Sequence, residues 1–400
     1  MNANPIQSLL ARWPQGEPAH VELLRDAGVE FVVEDSPPPP FAEALRKAGI
    51  GVLSDSALGP VMKDGLWPGI SRGPNVEGRG DETASASREP WVNANGYQVQ
   101  VERALGGKPL LGYLPNDRAG VSPDRVVPFD TLKLALTEAR VNGGNYILAL
   151  EPHYRTALLG GEEKAKTAWR SLGTTARWLK ANASSYGLPL LPTITMVVDR
   201  SDETHEMANL LFRRGASPNV VSVERVPKPS PRILVVSAAG LKPVPEAVLD
   251  HARAGATVII DAAPAAAWKK VKTERDRDFY SLGKGQVLVY HEPIADPSEY
   301  ALDVIDVATY RRRPVRIWNA LASIAIAGSG PVRGQTLMHV VNYGSAIDQE
   351  VQARVQGHFT KATLLRPESQ PLDLKVFHRG TTTEIFLPSL DMVATVRFLV

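Results

Sequence analysis

The stretch "PFDTLKLALTEARVNGGNYILALEPHY" (residues 128–154) joins an amphipathic helix, a glycine turn and an apolar strand that ends on an acid. Its leucines and alanines recur with the period of a helix, and the two glycines end that helix before "NYILAL". The same order of helix, glycine, strand and acid occurs twice earlier, ending at "VEFVVED" and "IGVLSD". This repetition predicts βα units around a parallel sheet.

Two changes of pattern divide the rest of the chain. From residue 189 a compact series of helices and apolar strands predicts a small doubly wound, flavodoxin-like α/β domain. From residue 311 short strands at ~8–12 residue spacing predict an antiparallel β-sandwich. We therefore expect an α/β protein with domains at 1–188, 189–310 and 311–400.

The composition excludes several classes of protein. Lys+Arg number 45 against 43 Asp+Glu, so no electrostatic footprint for nucleic acid is present. The absence of Cys excludes thiolate catalysis, disulfides and Cys-ligated metals. No G-x-G-x-x-G follows a strand and no histidine pair has metal-ligand spacing, so neither cofactor nor metal is expected.

The sequence also predicts a soluble protein. No apolar run reaches the ~18 residues of a membrane span, so no membrane partner is expected. The beginning "MNANPIQSLLARWPQGEP" lacks the basic and apolar regions of a signal peptide. A cytoplasmic protein and a secreted one whose signal has been removed both fit this pattern.

Three segments resemble one known arrangement: "PWVNANGYQVQ…KPLLGYLPN" (90–116), "RILVVSAAGLKPVPEAVLDHARAGATVIIDAA" (232–263) and "LMHVVNYG" (337–344). They are similar to parts of glycoside hydrolases, including one class of bacterial β-galactosidases. That family has a (β/α) barrel, an amidotransferase-like α/β domain and a small β-sandwich. The resemblance implies a carbohydrate partner and cleavage of a glycosidic bond by two carboxylates.

The expected barrel differs from that family in its strand count. Four strands are expected before residue 189, near 29–35, 50–54, 109–114 and 145–151, where a full barrel has eight. An irregular segment at 56–90 follows the second. The barrel is either incomplete, completed by strands hidden in that segment, or completed by another subunit in a homo-oligomer.

Functional groups of a βα barrel collect at the carboxyl ends of its strands, which here carry acids. Glu151 is the first candidate because it follows the apolar run "YILAL", where a carboxyl is desolvated. Its catalytic partner is sought among Asp55, Glu34 (with its neighbour Asp35) and Asp117. For each acid the alternative is a loop carboxylate, a helix cap or a surface ion pair.

Sugar sites also need flat apolar faces and neutral hydrogen-bonding groups. The candidate substrate-binding residues near the strand ends are Trp67, Trp91, Asn93, Asn95, Tyr113, Asn116, His153 and Tyr154, with Tyr97 beside them. The alternative for Trp67 and Trp91 is packing of the long loop. For the two amides, we predict that Asn95 caps the following helix and that Asn93 faces a ligand.

The middle domain is predicted to have a structural role or to form an oligomerisation surface. Amidotransferases that hydrolyse glutamine carry a Cys nucleophile on the turn that here reads "VVSAAG", with Ser237. No Ser-His-Asp pattern supports Ser237 as a nucleophile.

For the whole protein two functions stay open: a glycoside hydrolase, and a non-catalytic sugar-binding or scaffold protein on the same fold.

Overall fold

A computed structural model describes residues 4–59, 61–62, 67–69, 93–112, 126–292, 294, 297–308, 312–320 and 322–400. Four of the predicted site residues lie outside these ranges: Trp91, Tyr113, Asn116 and Asp117.

The first part of the chain forms a five-stranded parallel sheet with helices between the strands. Its strands are β1 (Leu10–Arg12), β2 (Phe31–Val33), β3 (Gly51–Leu53), β4 (Leu110–Gly112) and β5 (Asn145–Ala149). Its helices are α1 (Val21–Ala27), α2 (Pro39–Lys47), α3 (Asp55–Leu58), α4 (Gly96–Ala104), α5 (Thr131–Val141), α6 (Pro152–Leu159) and α7 (Glu163–Ala181). The four predicted strands are present, and β1 is an addition.

The strand order is that of a (β/α) barrel. The sheet runs β3-β2-β1-β5-β4, and Met62 makes a parallel bridge to Leu111 on the far side of β4. The neighbours around the sheet are therefore β1, β2, β3, the Met62 segment, β4 and β5, which is the order of the chain. In the described residues the ring is interrupted only between β3 and Met62.

The two faces of this sheet have different neighbours. Leu10, Val33, Leu110 and Ile147 form a small cluster on the inner face, the side that a barrel encloses. The alternate residues, such as Ala11, face the helices and join the largest core of the molecule. This alternation follows from the two-residue period of a strand, and it decides on which face each residue at the strand ends lies.

The middle sheet has seven strands in the order β10-β11-β12-β9-β8-β6-β7. They are β6 (Ile194–Val198), β7 (Asn219–Ser222), β8 (Val235–Ser237), β9 (Thr257–Ile260), β10 (Lys269–Glu274), β11 (Arg277–Leu282) and β12 (Gly285–Tyr290). Its helices are α8 (Asp202–Arg213), α9 (Glu246–Ala254) and α10 (Pro297–Asp303). The parallel strands β7-β6-β8-β9-β12 have the 2-1-3-4-5 order of flavodoxin-like folds.

The last part is an antiparallel sandwich of two sheets, as predicted. One sheet has the order β13-β16-β20-β19 and the other β14-β15-β21-β17-β18. The strands are β13 (Val315–Trp318), β14 (Ser323–Ser329), β15 (Gln335–Asn342), β16 (Asp348–Gln356), β17 (Lys361–Leu365), β18 (Leu372–Leu374), β19 (Phe377–Arg379), β20 (Thr382–Leu390) and β21 (Val393–Leu399). Their inward side chains form one apolar core.

The three parts pack against one another through shared apolar contacts. Ile324, Ile326 and Val341 of the sandwich belong to the same buried cluster as the barrel helices, and so does Phe212 of α8. The domain boundaries at residues 188 and 310 stay predictions.

Candidate functional site

The carboxyl ends of the barrel strands are level with one another. Arg12, the last residue of β1, pairs with Val33 on one side and with Ala149 on the other, and Val33 pairs with Leu53. The polar residues that follow these strands therefore share one edge of the sheet. This edge is where (β/α) barrels carry their functional groups.

Alternation along the strands assigns four polar residues to the inner face of this edge. Arg12 lies on the same face as Leu10, and continuing the alternation places Asp35, Asp55 and Glu151 there too. The contacts agree, since Arg12 and Asp55 form an ion pair and Asp35 contacts Asp55. We call Arg12, Asp35, Asp55 and Glu151 the inner-face cluster.

Arg12 holds Asp55 in a two-pronged ion pair. Its Nη1 donates to Asp55 Oδ2 at 2.9 Å and its Nη2 to Oδ1 at 2.6 Å. The backbone N–H of Asp55 donates to Asp35 Oδ1 at 3.0 Å. The arginine is largely covered, with 11% of its side chain exposed, whereas Asp55 is exposed at 50%. The pair therefore presents a carboxylate to the space at the strand ends.

Glu151 occupies the start of α6. It is buried, at 6% exposure, and its Oε2 accepts a hydrogen bond from the backbone N–H of His153 at 2.9 Å. The side chain is thus the N-cap of α6, and Pro152 at the first helical position reinforces that start. Its orientation at the strand end is fixed by this bond.

Glu34 lies on the opposite face of the sheet from the inner-face cluster. It lies near Arg155, whose guanidinium stacks over the indole of Trp13 at 5.0 Å from the ring centre. Burial raises the pKa of Glu34, and the nearby Arg155 charge lowers that pKa in part. Glu34 Oε2 and Arg155 Nη1 are buried and have no hydrogen-bond partner within the described ranges.

The aromatic candidates that follow β5 pack mainly against other rings. Tyr154 is buried, and its ring stacks on Phe129 at 4.6 Å and meets Trp169 edge-on at 6.5 Å. His153 is exposed and stacks on the same Phe129 ring at 5.6 Å. His153 and Phe129 are therefore the accessible part of this group. Trp67, at 1% exposure, belongs to the main core, as the packing alternative expects.

The two amides lie at the junction between the barrel and the sandwich. Asn95 stands at the N-cap position of α4, but its side chain makes no capping bond. Glu138 of α5 replaces it: Oε1 accepts from the backbone N–H groups of Asn95 and Gly96, the latter at 2.7 Å. The predicted capping role of Asn95 was therefore wrong, because a longer carboxylate from a neighbouring helix reaches these N–H groups first.

Glu138 also binds the sandwich. Tyr343, in the loop after β15, donates its hydroxyl to Glu138 Oε1 at 2.8 Å. Glu138 is fully buried, so burial raises its pKa, while the bonds from Tyr343, Asn95 and Gly96 oppose that rise. Asn93 is equally buried beside this group. Sequence reasoning missed Glu138, whose place in "LTEAR" resembles a solvent-facing helix position.

The crevice of the middle sheet is filled by its own side chains. Ligands of such folds bind where the strand order reverses, here between β6 and β8. A Cβ on Gly240, just after β8, would lie 3.0 Å from the methyl of Thr204 in the first turn of α8. Ser237 bonds the hydroxyl of Tyr300, and both residues are buried. This packing supports the structural reading of the domain.

Within the described ranges, the chain has neither a metal-ligand cluster nor a membrane-spanning helix. In those ranges no three His, Asp or Glu side chains are grouped as metal ligands would be. Among the helices described there, none is long and apolar enough to cross a membrane.

The fold resembles solved glycoside hydrolases. No known protein family and no curated protein matches the sequence. α-L-Fucosidase isoenzyme 2 from Paenibacillus thiaminolyticus matches with a TM-score of 0.52 at 8% identity, over 76% of this chain and 62% of that one. A β-galactosidase from Bacillus circulans sp. alkalophilus matches with a TM-score of 0.49 at 10% identity, over 76% and 57%.

This chain therefore has a glycoside hydrolase-like fold, a (β/α) barrel followed by a β-rich C-terminal domain. It spans less than two thirds of the fucosidase chain that it matches.

Proposed function

We propose that this protein is a glycoside hydrolase whose site is the inner-face cluster. The observation that carries the proposal is the meeting of Arg12, Asp35 and Asp55 on the inner face, with Glu151 at the end of the adjoining strand. Carboxylates and a guanidinium at the carboxyl edge of a barrel are the groups that bind sugar hydroxyls and act on a glycosidic bond.

The two principal carboxylates would have different roles. Glu151, buried at the end of an apolar strand, is assigned the role of proton donor to the leaving oxygen. Asp55 faces solvent and carries a guanidinium partner, which suits a charged group that activates water or stabilises the cationic sugar. Arg12 would position Asp55.

The strand positions favour a wide separation between these groups. Asp55 follows β3 and Glu151 follows β5, and two strands stand between them. At ~4.8 Å per strand their backbones are ~14 Å apart along the sheet. A separation this wide is nearer to the ~6.5–9.5 Å of inverting glycosidases than to the ~5–5.5 Å of retaining ones. We therefore expect inversion at the anomeric carbon, which NMR of the first product would detect.

A panel of aryl-glycosides tests the proposal. Glu151→Gln keeps an oxygen that can cap α6 but removes the transferable proton, so kcat should fall by about 100-fold or more. Glu43→Gln, an exposed carboxylate on α2, is the matched control and should leave kcat unchanged. Equal turnover by the wild type and Glu151→Gln, with equal melting temperatures, would remove Glu151 from the mechanism.

A non-catalytic sugar-binding protein is the second candidate. It is favoured by the fact that Asp55 and Glu151 both have intramolecular partners, Arg12 and the start of α6. Calorimetry with oligosaccharides would then show binding, weakened by Arg12→Ala, while no glycoside in the panel is cleaved by the wild type. Cleavage by the wild type that is lost in Glu151→Gln would instead identify the protein as an enzyme.

A further inference from the structure

A cavity lies at the opposite edge of the barrel sheet from the inner-face cluster, near the amino ends of β1 and β2. Its volume is about 170 Å³. Helices α1, α5 and α7 surround it, and its polar lining consists of Gln7, Glu30, Arg140, Arg177 and Lys180. The inner-face cluster lies at the carboxyl edge, so this cavity is separate from the proposed catalytic site.

Arg140 is the buried charge of this cavity. It is 7% exposed, and its guanidinium donates to two neutral groups, the carbonyl of Ile6 at 2.6 Å and that of Ser8 at 2.9 Å. A guanidinium has five N–H groups, so further donors are left beyond these two bonds. Burial lowers the pKa of Arg140 to about 10, against a smaller opposite effect of Glu30. Neutral carbonyls orient this cation without balancing its charge.

The lining carries more positive than negative charge. Glu30 is the one carboxylate among the lining residues, against Arg140, Arg177 and Lys180. Glu30 Oε2 accepts from Lys180 Nζ at 2.7 Å, and Oε1 accepts from the backbone N–H of Leu9 at 3.1 Å. Both of its oxygens are therefore occupied, and its charge is matched by Lys180.

Arg177 supplies a second cation at the rim of the cavity. Its Nη1 donates to the carbonyl of Asp26 and its Nη2 to the hydroxyl of Thr174, each at 3.2 Å. These partners are again neutral. Neither guanidinium thus has a direct hydrogen bond to a carboxylate, although Glu30 lies in the same lining. For the buried Arg140 this is unusual, because buried charges in proteins are normally paired with an opposite charge.

We propose that this cavity binds a small oxyanion, with Arg140 at its base and Arg177 at its rim. Arginine is the side chain best suited to such groups, because its planar donors match the oxygens of phosphate and carboxylate. The ligand class is thus an inorganic or organic phosphate, or a small carboxylate. This proposal does not depend on the glycosidase activity.

Calorimetric titration of the full chain with inorganic phosphate and with malonate tests the inference, with chloride at equal ionic strength as reference. Saturable binding of either oxyanion, with a raised melting temperature, is the expected result. Binding of phosphate alone identifies phosphate as the ligand chemistry, and binding of malonate alone identifies a carboxylate. If neither binds more than chloride does, the proposal fails.

Arg177→Gln locates the site, because this exposed side chain can be changed without removing the contacts of Arg140. The Kd of this variant for the oxyanion that the wild type binds should be at least tenfold higher than the wild-type Kd. Arg170→Gln, one further exposed arginine on α7 that is paired with Glu163, is the matched control and should bind as the wild type does. Equal affinity in all three proteins would place the binding elsewhere and overturn the assignment.

Discussion

Glu138 shows how a single residue can connect two parts of this fold. Its Oε1 accepts hydrogen bonds from two backbone N–H groups at the start of α4 and from the hydroxyl of Tyr343. Each donor is buried, so the loss of its acceptor would leave a polar group without a partner. Such groups cost about 1–3 kcal/mol each.

Glu138→Ala should therefore lower the free energy of unfolding by about 3 kcal/mol or more. The variant should also release Tyr343, which the proton resonances of its ring would show. Denaturant unfolding of the variant, beside Glu43→Ala as an exposed control, measures this. A loss of unfolding free energy no larger than that of the control would show that the bonds of Glu138 do not stabilise the fold.

His339 should make the stability of the protein depend on pH. It is buried in β15, between Thr395 at 2.9 Å and the carbonyl of Ser185 at 3.0 Å, with the ring of Tyr186 at 5.1 Å. Burial lowers its pKa from 6.5 to about 4. A depressed histidine pKa means that the fold holds the neutral ring, so its contribution is complete above pH 6.5.

As the pH falls from 6.5 to about 4, the protein loses this contribution to its unfolding free energy, which is on the order of 3 kcal/mol in total. Carboxylates titrate in the same range, so the relevant quantity is the difference between two proteins. The loss of unfolding free energy between pH 7 and pH 4.5 should be smaller in His339→Gln than in the wild type. Identical pH profiles of the two proteins would show that folding does not lower the pKa of this ring.

At the scale of elements, α7 crosses α1 at a glycine. A Cβ on Gly173 would lie 2.7 Å from the Cα of Ala27 and 2.8 Å from its carbonyl oxygen, which is too close. Alanine is the better helix former by about 1 kcal/mol at an exposed site. Here the overpacking cost of about 1–3 kcal/mol outweighs that gain.

Gly173→Ala should therefore destabilise the protein, and Thr167→Ala, on the exposed side of the same helix, should be neutral or slightly stabilising. Parallel urea titrations compare the two. Stabilisation by Gly173→Ala would show that the helices can move apart without cost.

Elements with a strong local pattern were predictable, and those that depend on distant partners were not. Helix α5 and strand β5 follow from apolar periodicity and a glycine turn. Strand β1 was missed because "LAR" is short and lacks β-branched residues, and its pairing comes from β2 and β5. The start of α4 was predicted, but its cap was not, because Glu138 is 42 residues from Gly96 in the chain.

The same distinction applies to the candidate site. The acids at the strand ends could be found from the sequence because each directly follows an apolar run. The face on which each acid lies could not, since Glu34 and Asp35 are adjacent and alternate between the helix side and the inner side. The ion pair of Arg12 with Asp55 joins residues 43 positions apart, so no local pattern shows it.

At the scale of the whole molecule, the sandwich completes the core of the barrel. Ile324, Ile326, Val341 and Val393 lie in the cluster built by the barrel helices, and Tyr343 binds Glu138. A chain ended at residue 311 would expose this apolar surface to water. We expect it to aggregate or to melt without a cooperative transition, as scanning calorimetry would detect. Cooperative melting at the temperature of the full chain would show that the parts are independent.

The central claim is that the inner face of the carboxyl edge, and not its helix side, carries the chemistry. Two conservative variants at the ends of neighbouring strands separate these faces: Asp55→Asn on the inner face and Glu34→Gln on the helix side. The direct measurement is kcat/KM of both variants on the most reactive aryl-glycoside, with both variants first shown to melt at the temperature of the wild type. We predict a loss of about 100-fold or more in Asp55→Asn and a much smaller one in Glu34→Gln, and the reverse order would contradict the account.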